Sequence, residues 1–410
     1  MATLNPEERN MILIQGLTFF ASSLAGIFVT VFLFINSDLK TTLFYCIVMN
    51  LSFLFFYMLS GWVMKKIPSG TLLKLSLGTA TIYFFLLFIL KEKAIQFLIP
   101  LAVLDGFGGG LYWAGFNLNQ YVFSSSESRV QYFGWAGAVL NVFRAIGPIL
   151  GGAIVALTGN QMLFGVKAGY SVLFLIVGLI LLAVLTFIEK LPEHEMVSFS
   201  LQHIIDHKRS KSWLNILGQQ IAFGLYDVLY STMLGVLMFL IVKKEFYLGT
   251  VQTLGFTASI IGSILAIRVL QKYKQGFWVG ALGQAAGMLL FALNQNFLGI
   301  IFYILSSITA PFLNTWMNTV YFKAMDKDSR HFSEKYHLIA ESTFSLMSAR
   351  ILSYIFLFII IGYGDQIQLA KQSLFILPIF PLIIGLLLSY YDKATNRITE
   401  ELEPVKDFVS

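Results

Sequence analysis

The chain has 410 residues, 57% of them hydrophobic and 12% charged, with a mean hydropathy of +0.75 and a formal net charge of +6. A soluble protein carries about 25% charged residues, so this composition excludes a domain covered by water on all sides and assigns most of the surface to lipid. The single cysteine, Cys46, excludes an internal disulfide or a metal–thiolate cluster. No cofactor or metal is expected.

Twelve apolar runs are long enough to span a bilayer as helices. They are predicted at 11–35, 41–64, 71–90, 96–121, 130–157, 163–189, 212–242, 249–270, 276–294, 297–321, 336–362 and 372–391. The alternating pattern of barrel strands is absent, so the fold class is an all-α membrane protein. The first run is too long for a signal-peptide core and is expected to be retained. One long hydrophilic stretch, Glu189 to Lys211, divides the chain. The predicted organisation is a six-helix half at 1–189, a cytoplasmic linker at 190–211, a second six-helix half at 212–391 and a cytoplasmic tail at 392–410. Within the linker, Phe199, Leu201, Ile204 and Ile205 suit a short amphipathic helix on the inner leaflet. His203 and His207 beside them read as a solvated face.

With both termini placed in the cytoplasm, the outer side holds only Lys40, Lys91, Lys93, Lys167, Lys243, Lys244 and Lys371. Apart from two arginines within spans, the rest of the 28 Lys and Arg lie inside, as the positive-inside rule requires. The positive charge therefore reports topology and anionic lipid, and no nucleic acid partner is expected.

Only Asp105, Arg144, Asp227 and Arg350 lie deep within spans. At 1.5 Å per residue they sit roughly 21–24 Å from the cytoplasmic side. A charge at that depth costs at least a few kcal/mol unless it has a partner or a task. Two readings follow. The four are proton- and substrate-handling groups, or they are two structural ion pairs, Asp105 with Arg144 and Asp227 with Arg350. Tyr112, Trp113, Tyr226, Tyr230, Asn314 and Asn318 lie near them in the predicted helices. Aromatic rings with a few polar groups suit a pocket for an amphipathic organic molecule.

The halves are weakly alike. Gly16-Leu17 and Ser23 recur as Gly224-Leu225 and Ser231, 208 residues on, and Arg144 recurs as Arg350 after 206. Duplicated halves with a site between them are a common plan of secondary transporters.

The fifth span carries Gly134 and ends Gly147-Pro148-Ile149-Leu150-Gly151-Gly152. This resembles the fifth-helix signature of major facilitator superfamily exporters, the drug:proton antiporters. Phe143 stands where that pattern has another glycine. The resemblance implies the major facilitator fold, with this helix along the interface between halves, and it implies proton-coupled export by alternating access. It also implies that Gly147 and Gly151 let the fifth span approach the other half. Between the second and third spans, Gly61 and Lys66 fit the family's loop motif, while Lys65 replaces the aspartate that helps latch the cytoplasmic side. Another contact is then needed there. The helix-four arginine of the antiporters is missing.

The expected function is export of an amphipathic small molecule in exchange for protons. The partners are a small-molecule substrate, protons and the lipid of the cell membrane, and the protein is expected to be a monomer. The alternatives are translocation of a lipid or lipid-linked headgroup, and nutrient uptake. An enzyme is not expected. Tyr226-Asp227 and Gly362-Tyr363-Gly364-Asp365 do match pieces of intramembrane aspartyl proteases. That chemistry needs the two carboxylates side by side.

Overall fold

A computed structural model describes residues 6–123, 129–159, 168–188, 197–206, 208–327 and 332–402, and among these every regular element is helical. In lipid each backbone N–H and C=O has to be satisfied within its own segment, and a helix does this for an isolated apolar run. The first half runs through α1 (Pro6–Asn36), α2 (Leu39–Val63), α3 (Ser69–Leu90), α4 (Leu98–Phe123), α5 (Arg129–Thr158) and α6 (Ala168–Ile188). A short α7 (Leu201–Asp206) sits in the linker. The second half holds α8 (Lys211–Gly224), α9 (Asp227–Val242), α10 (Glu245–Lys272), α11 (Phe277–Leu293), α12 (Phe297–Lys327), α13 (Phe332–Ile360), α14 (Gln366–Ser373) and α15 (Ile379–Leu402).

Nine described stretches are long and apolar enough to cross a membrane, and one of them, Ser69–Asn119, contains both α3 and α4. Separating these two, and adding the shorter apolar helices α11 and α15, gives the twelve spans expected. The seventh span holds as one apolar stretch, Lys211–Val242, but its helix is interrupted at Leu225–Tyr226, giving α8 and α9. One expectation about spans needs correction. The twelfth begins at Ile379, not 372: α14 ends at Ser373, and a turn through Pro378 leads into the new helix, whose first turn tolerates Pro381.

Helix ends are closed by side chains where the chain leaves the apolar runs. Asp38 accepts from Thr41 N at 2.7 Å to cap α2, Ser210 accepts from Trp213 N at 3.1 Å to cap α8, and Asp365 accepts from Gln368 N at 2.7 Å to cap α14. Partial burial pushes the Asp38 carboxyl up. Hydrogen bonds from Thr41 and Gln366, with Lys40 nearby, outweigh this and hold it below the usual carboxylate range.

Within the first half α1 packs on α5, and α4 packs between α2 and α3. Within the second, α12 packs on α10 and α11, and α8 on α13. The halves meet through α5 against α10 and α2 against α13, with α1 touching α9. They touch at both ends. At the end opposite the linker, Lys40 N donates to Gln366 Oε1 at 3.1 Å, and the rings of Phe44 and Phe358 lie 6.2 Å apart. At the linker end the rings of Tyr57 and Tyr336 stack at 6.5 Å.

The glycines of α5 divide their work differently from expectation. A Cβ at Gly147 would strike Ser23, and one at Gly151 would strike Leu24 and Phe28, all on α1 of the same half. The approach to the other half is made at Gly152, beside Glu245, and at Gly249, beside the Pro148 carbonyl. The cause is the helical period. Residues 147 and 151 share a face with Phe143, whose carbonyl accepts from Ser23 Oγ at 3.0 Å. Gly134 lies in α5, but its surroundings fall outside the described residues, as do the side chains of His203 and His207.

These contacts predict a packing asymmetry along α1 and α5. Gly151→Leu should destabilise the protein by about 1–3 kcal/mol through overpacking. Gly26→Leu, where an added Cβ meets nothing within 4 Å, should leave the melting temperature in detergent unchanged. Equal melting of both variants would contradict the α1–α5 contact.

Candidate functional site

The break in the seventh span positions the first of the deep charges. Asp227 is the first residue of α9, where its carboxylate meets the free N–H groups of a helix start. Arg350, in the middle of α13, reaches it with two hydrogen bonds, Nη2 to Oδ2 at 2.5 Å and Nε to Oδ1 at 3.3 Å. The pair keeps limited access, with side-chain exposures of 13% for Asp227 and 21% for Arg350. Arg350 lies about 200° around α13 from the exposed Leu352, so it points away from lipid.

The first half is built otherwise. Asp105 turns toward α2 and α3, where Tyr45 Oη donates to Asp105 Oδ2 at 2.7 Å and shares a second hydrogen bond of 2.7 Å with Tyr83 Oη. Arg144 turns the other way, to α1, and lies over the ring of Phe19 at 4.7 Å. The expected Asp105–Arg144 pair is therefore not formed, because their helices aim them at different neighbours. Tyr45 and Tyr83 escaped the sequence reading. Lone tyrosines in apolar runs rich in aromatic residues carry no signal of partnership until the helices are packed.

The aromatic and amide residues separate in the same way. Trp113 meets Phe19 edge-on at 5.9 Å, while Tyr112 stacks on Phe116 at 5.5 Å. Tyr226 is buried and donates to Gln284 on α11 at 3.3 Å, so it points into its own half and does not line a shared space. The Tyr230 hydroxyl and the Asn314 amide oxygen are buried without a hydrogen-bond partner among the described residues. Asn314 and Asn318 lie on the side of α12 turned from its exposed Leu305, about 180° and 220° around the helix. A groove of about 760 Å³ among Leu237, Leu254, Ile300, Ile304 and Lys371 lies away from all four deep charges.

Asp365 is exposed and caps α14, while the Asp227 carboxylate is taken by Arg350. The two-carboxylate arrangement of a protease is not there.

The residue pattern agrees with one family. The Major Facilitator Superfamily profile matches residues 11–333. The chain belongs to the Major Facilitator Superfamily. It is a multi-pass membrane transporter and not an enzyme. A relative, the uncharacterised protein YqgE of Bacillus subtilis (strain 168), is 24% identical over 300 residues, covering 72% of this chain and 68% of that protein. Among solved structures, a bacterial homologue of the iron transporter ferroportin in its inward-facing state superposes with a TM-score of 0.67 at 13% identity, covering 94% of this chain and 98% of that one. A variant of the E. coli fucose:proton symporter FucP gives 0.64 at 14% identity, covering 94% and 98%. Likeness at that identity establishes the fold alone.

In this superfamily member the linker closes the end at which the loop motif between α2 and α3 is degenerate. Phe199 is not on a lipid surface, as the amphipathic reading expected, but fully buried. Its ring fills the space left by Gly61, where a Cβ would come within 2.6 Å. It meets Trp62 edge-on at 5.1 Å and stacks on His337 of α13 at 5.5 Å. Ser200 N donates to His337 Nε2 at 3.0 Å. Below it, Glu341 accepts from Arg209 of the linker and, at 2.7 Å, from Trp213 Nε1 of α8. The glycine retained from the loop motif is thus the seat for a linker side chain.

Two predictions follow from this geometry. Asp227→Asn leaves Arg350 without its counter-charge, which costs about 3–5 kcal/mol, whereas Asp105→Asn keeps an acceptor for Tyr45 and should cost about 1 kcal/mol. Melting of the purified protein checks the order, and a reversed order would refute it. For the linker, Phe199→Ala should open its end of the α2–α13 seam. With Cys46 replaced by alanine, Ala340→Cys in the cluster around Phe199 should resist a water-soluble thiol reagent and become reactive once Phe199 is cut back.

Proposed function

We propose that this transporter exports an amphipathic small molecule from the cytoplasm in exchange for protons. The observation that carries the reading is the placement of Asp105 and Asp227. Both are carboxylates on interior faces, Asp105 held by the neutral Tyr45 hydroxyl and Asp227 by the Arg350 guanidinium. Protonating Asp227 removes the charge that Arg350 neutralises, so the arginine must find another partner or the helices must move. Asp105 is bound by a neutral hydroxyl, so gaining a proton there costs no ion pair. Two acids with different partners can load and release protons in different states of the cavity.

The organisation suits alternating access. The halves at 1–189 and 212–391 meet at both ends, and each end has its own small set of contacts to break. The lysine and arginine distribution supports a cytoplasmic place for the linker at 190–211 and the tail at 392–410. The protein works in the cell membrane as a monomer.

Inverted vesicles test the coupling. With a proton gradient set by respiration and read by a pH-sensitive dye, addition of amphipathic aromatic compounds should release protons from vesicles carrying the native protein. Asp105→Asn or Asp227→Asn should lower that release by about tenfold or more, within the range general acid–base groups contribute, while unlabelled substrate still exchanges for labelled. If both variants drive transport against a gradient as the native protein does, antiport through these acids is wrong.

A further inference from the structure

The repeat between the halves exposes one substitution of consequence. Gly16-Leu17 and Ser23 of α1 correspond to Gly224-Leu225 and Ser231 at a step of 208 residues. The same step carries Phe19 onto Asp227. Arg144 corresponds to Arg350 at 206. In the second half this pair is a carboxylate and a guanidinium 2.5 Å apart. In the first half it is a benzyl ring and a guanidinium, with the guanidinium carbon 4.7 Å from the ring centroid. The positions correspond in the repeat, but where the second half has a counter-charge the first has an aromatic face.

That replacement leaves a charge to be met. A ring quadrupole orients a guanidinium without neutralising it. Among the described residues no carboxylate pairs with Arg144, and Asp105 is engaged by Tyr45. Arg144 does not escape to water at the lipid interface. Val142, Ile146 and Leu150 form the exposed stripe of α5, and Arg144 lies two residues on from Val142, about 200° around the helix. It therefore faces the interior of the bundle, where an uncompensated cation is costly. Beside it, Trp113 lies edge-on to Phe19 at 5.9 Å and to Phe116 at 5.8 Å, which makes an apolar, aromatic wall.

We propose that Arg144, Phe19 and Trp113 form the binding site for the anionic group of the substrate, an amphipathic organic anion bearing a carboxylate or phosphate. The planar guanidinium offers a two-pronged donor to such a group, and the aromatic wall takes the apolar body next to it. The anion supplies to the first half the charge that Asp227 supplies to the second. This deepens the transport reading above by naming the substrate class, and it rests on that reading for the role of the bound molecule.

The test is binding to the full-length protein in a neutral detergent, read as a saturable rise in melting temperature. The probes are 1-naphthoate and 1-naphthyl phosphate, the matched cation 1-naphthylmethylamine, the neutral 1-naphthylmethanol, and dioctanoyl phosphatidate as a lipid carrier of the same charge. The anions should stabilise the native protein, and the cation and alcohol should not. Naphthyl anions outcompeting phosphatidate would identify a soluble substrate, and the reverse a lipid one; either supports the site. Arg144→Gln should weaken anion binding by about tenfold or more, the order expected for loss of a charged hydrogen-bond donor, and Arg144→Lys should weaken it less. Phe19→Asp is the decisive variant. It builds the missing carboxylate, so it should fold like the native protein and lose anion binding with Arg144 still present.

Native-like anion binding by Phe19→Asp overturns the proposal. So does equal binding of the cation or alcohol, or failure of every anion to stabilise the native protein. Because binding in detergent needs no gradient, Arg144-dependent anion binding without proton exchange would defeat the antiport reading alone. Proton-driven transport of cations with no Arg144-dependent anion binding would defeat this inference alone.

Discussion

Asp227 and Arg350 meet inside a bundle whose other neighbours are largely apolar, and much of the second half is arranged around that meeting. A carboxylate in such surroundings is tolerated when its charge is matched and its lone pairs are filled. The chain supplies both. The seventh span is broken one residue ahead of Asp227, so the carboxylate sits at a helix start. α13 brings a guanidinium from the opposite side with two hydrogen bonds. The pair in turn ties α9 to α13, and α13 is also the helix that meets α2 across the interface. The charge pair and the contact between halves therefore share one element, α13.

The ends of the molecule divide the closing contacts unequally. At the far end polar and apolar contacts mix, with Gln366 bridging Asp38 and the Lys40 backbone and the Phe44 ring facing Phe358. At the linker end a buried cluster of aromatic side chains does the work, and its centre is supplied by the linker itself. A linker residue wedged between α2 and α13 makes the joint between halves part of the closure. Phe199 touches Gly61 of α2 and His337 of α13 at once, so any separation of these helices would have to break one of the two contacts. Glu341, bound by both Arg209 and Trp213, fixes where the linker ends and α8 begins.

The two halves keep a common plan and differ in charge. The second half neutralises its deep arginine internally. The first separates its deep charges, giving the acid to a tyrosine chain between α2, α3 and α4, and the base to an aromatic face on α1. The asymmetric arrangement leaves Asp105 on a neutral hydroxyl and Arg144 on a ring face, each without an opposite charge among the described residues.

The sequence by itself determined the class, the number of spans, the division into halves and the short list of deep charges. Each of these follows from a one-dimensional property: apolar length against bilayer thickness, the position of a single hydrophilic stretch, and the cost of a charge in hydrocarbon. The fifth-span glycines were also legible as sites of close approach. Which helix each glycine meets was not, because that depends on the rotation of α5 against two neighbours at once. The same holds for Asp105. Its spacing from Arg144 suggested a pair, and only the packed bundle turned one toward Tyr45 and the other toward Phe19. The burial of Phe199 was likewise a tertiary decision, since an apolar residue in a polar linker fits a lipid surface and a protein cleft equally well until Gly61 is set beside it. Direction around a helix axis is what apolar helices encode least, for their residues differ too little from face to face to reveal which side meets lipid, a neighbour or the interior.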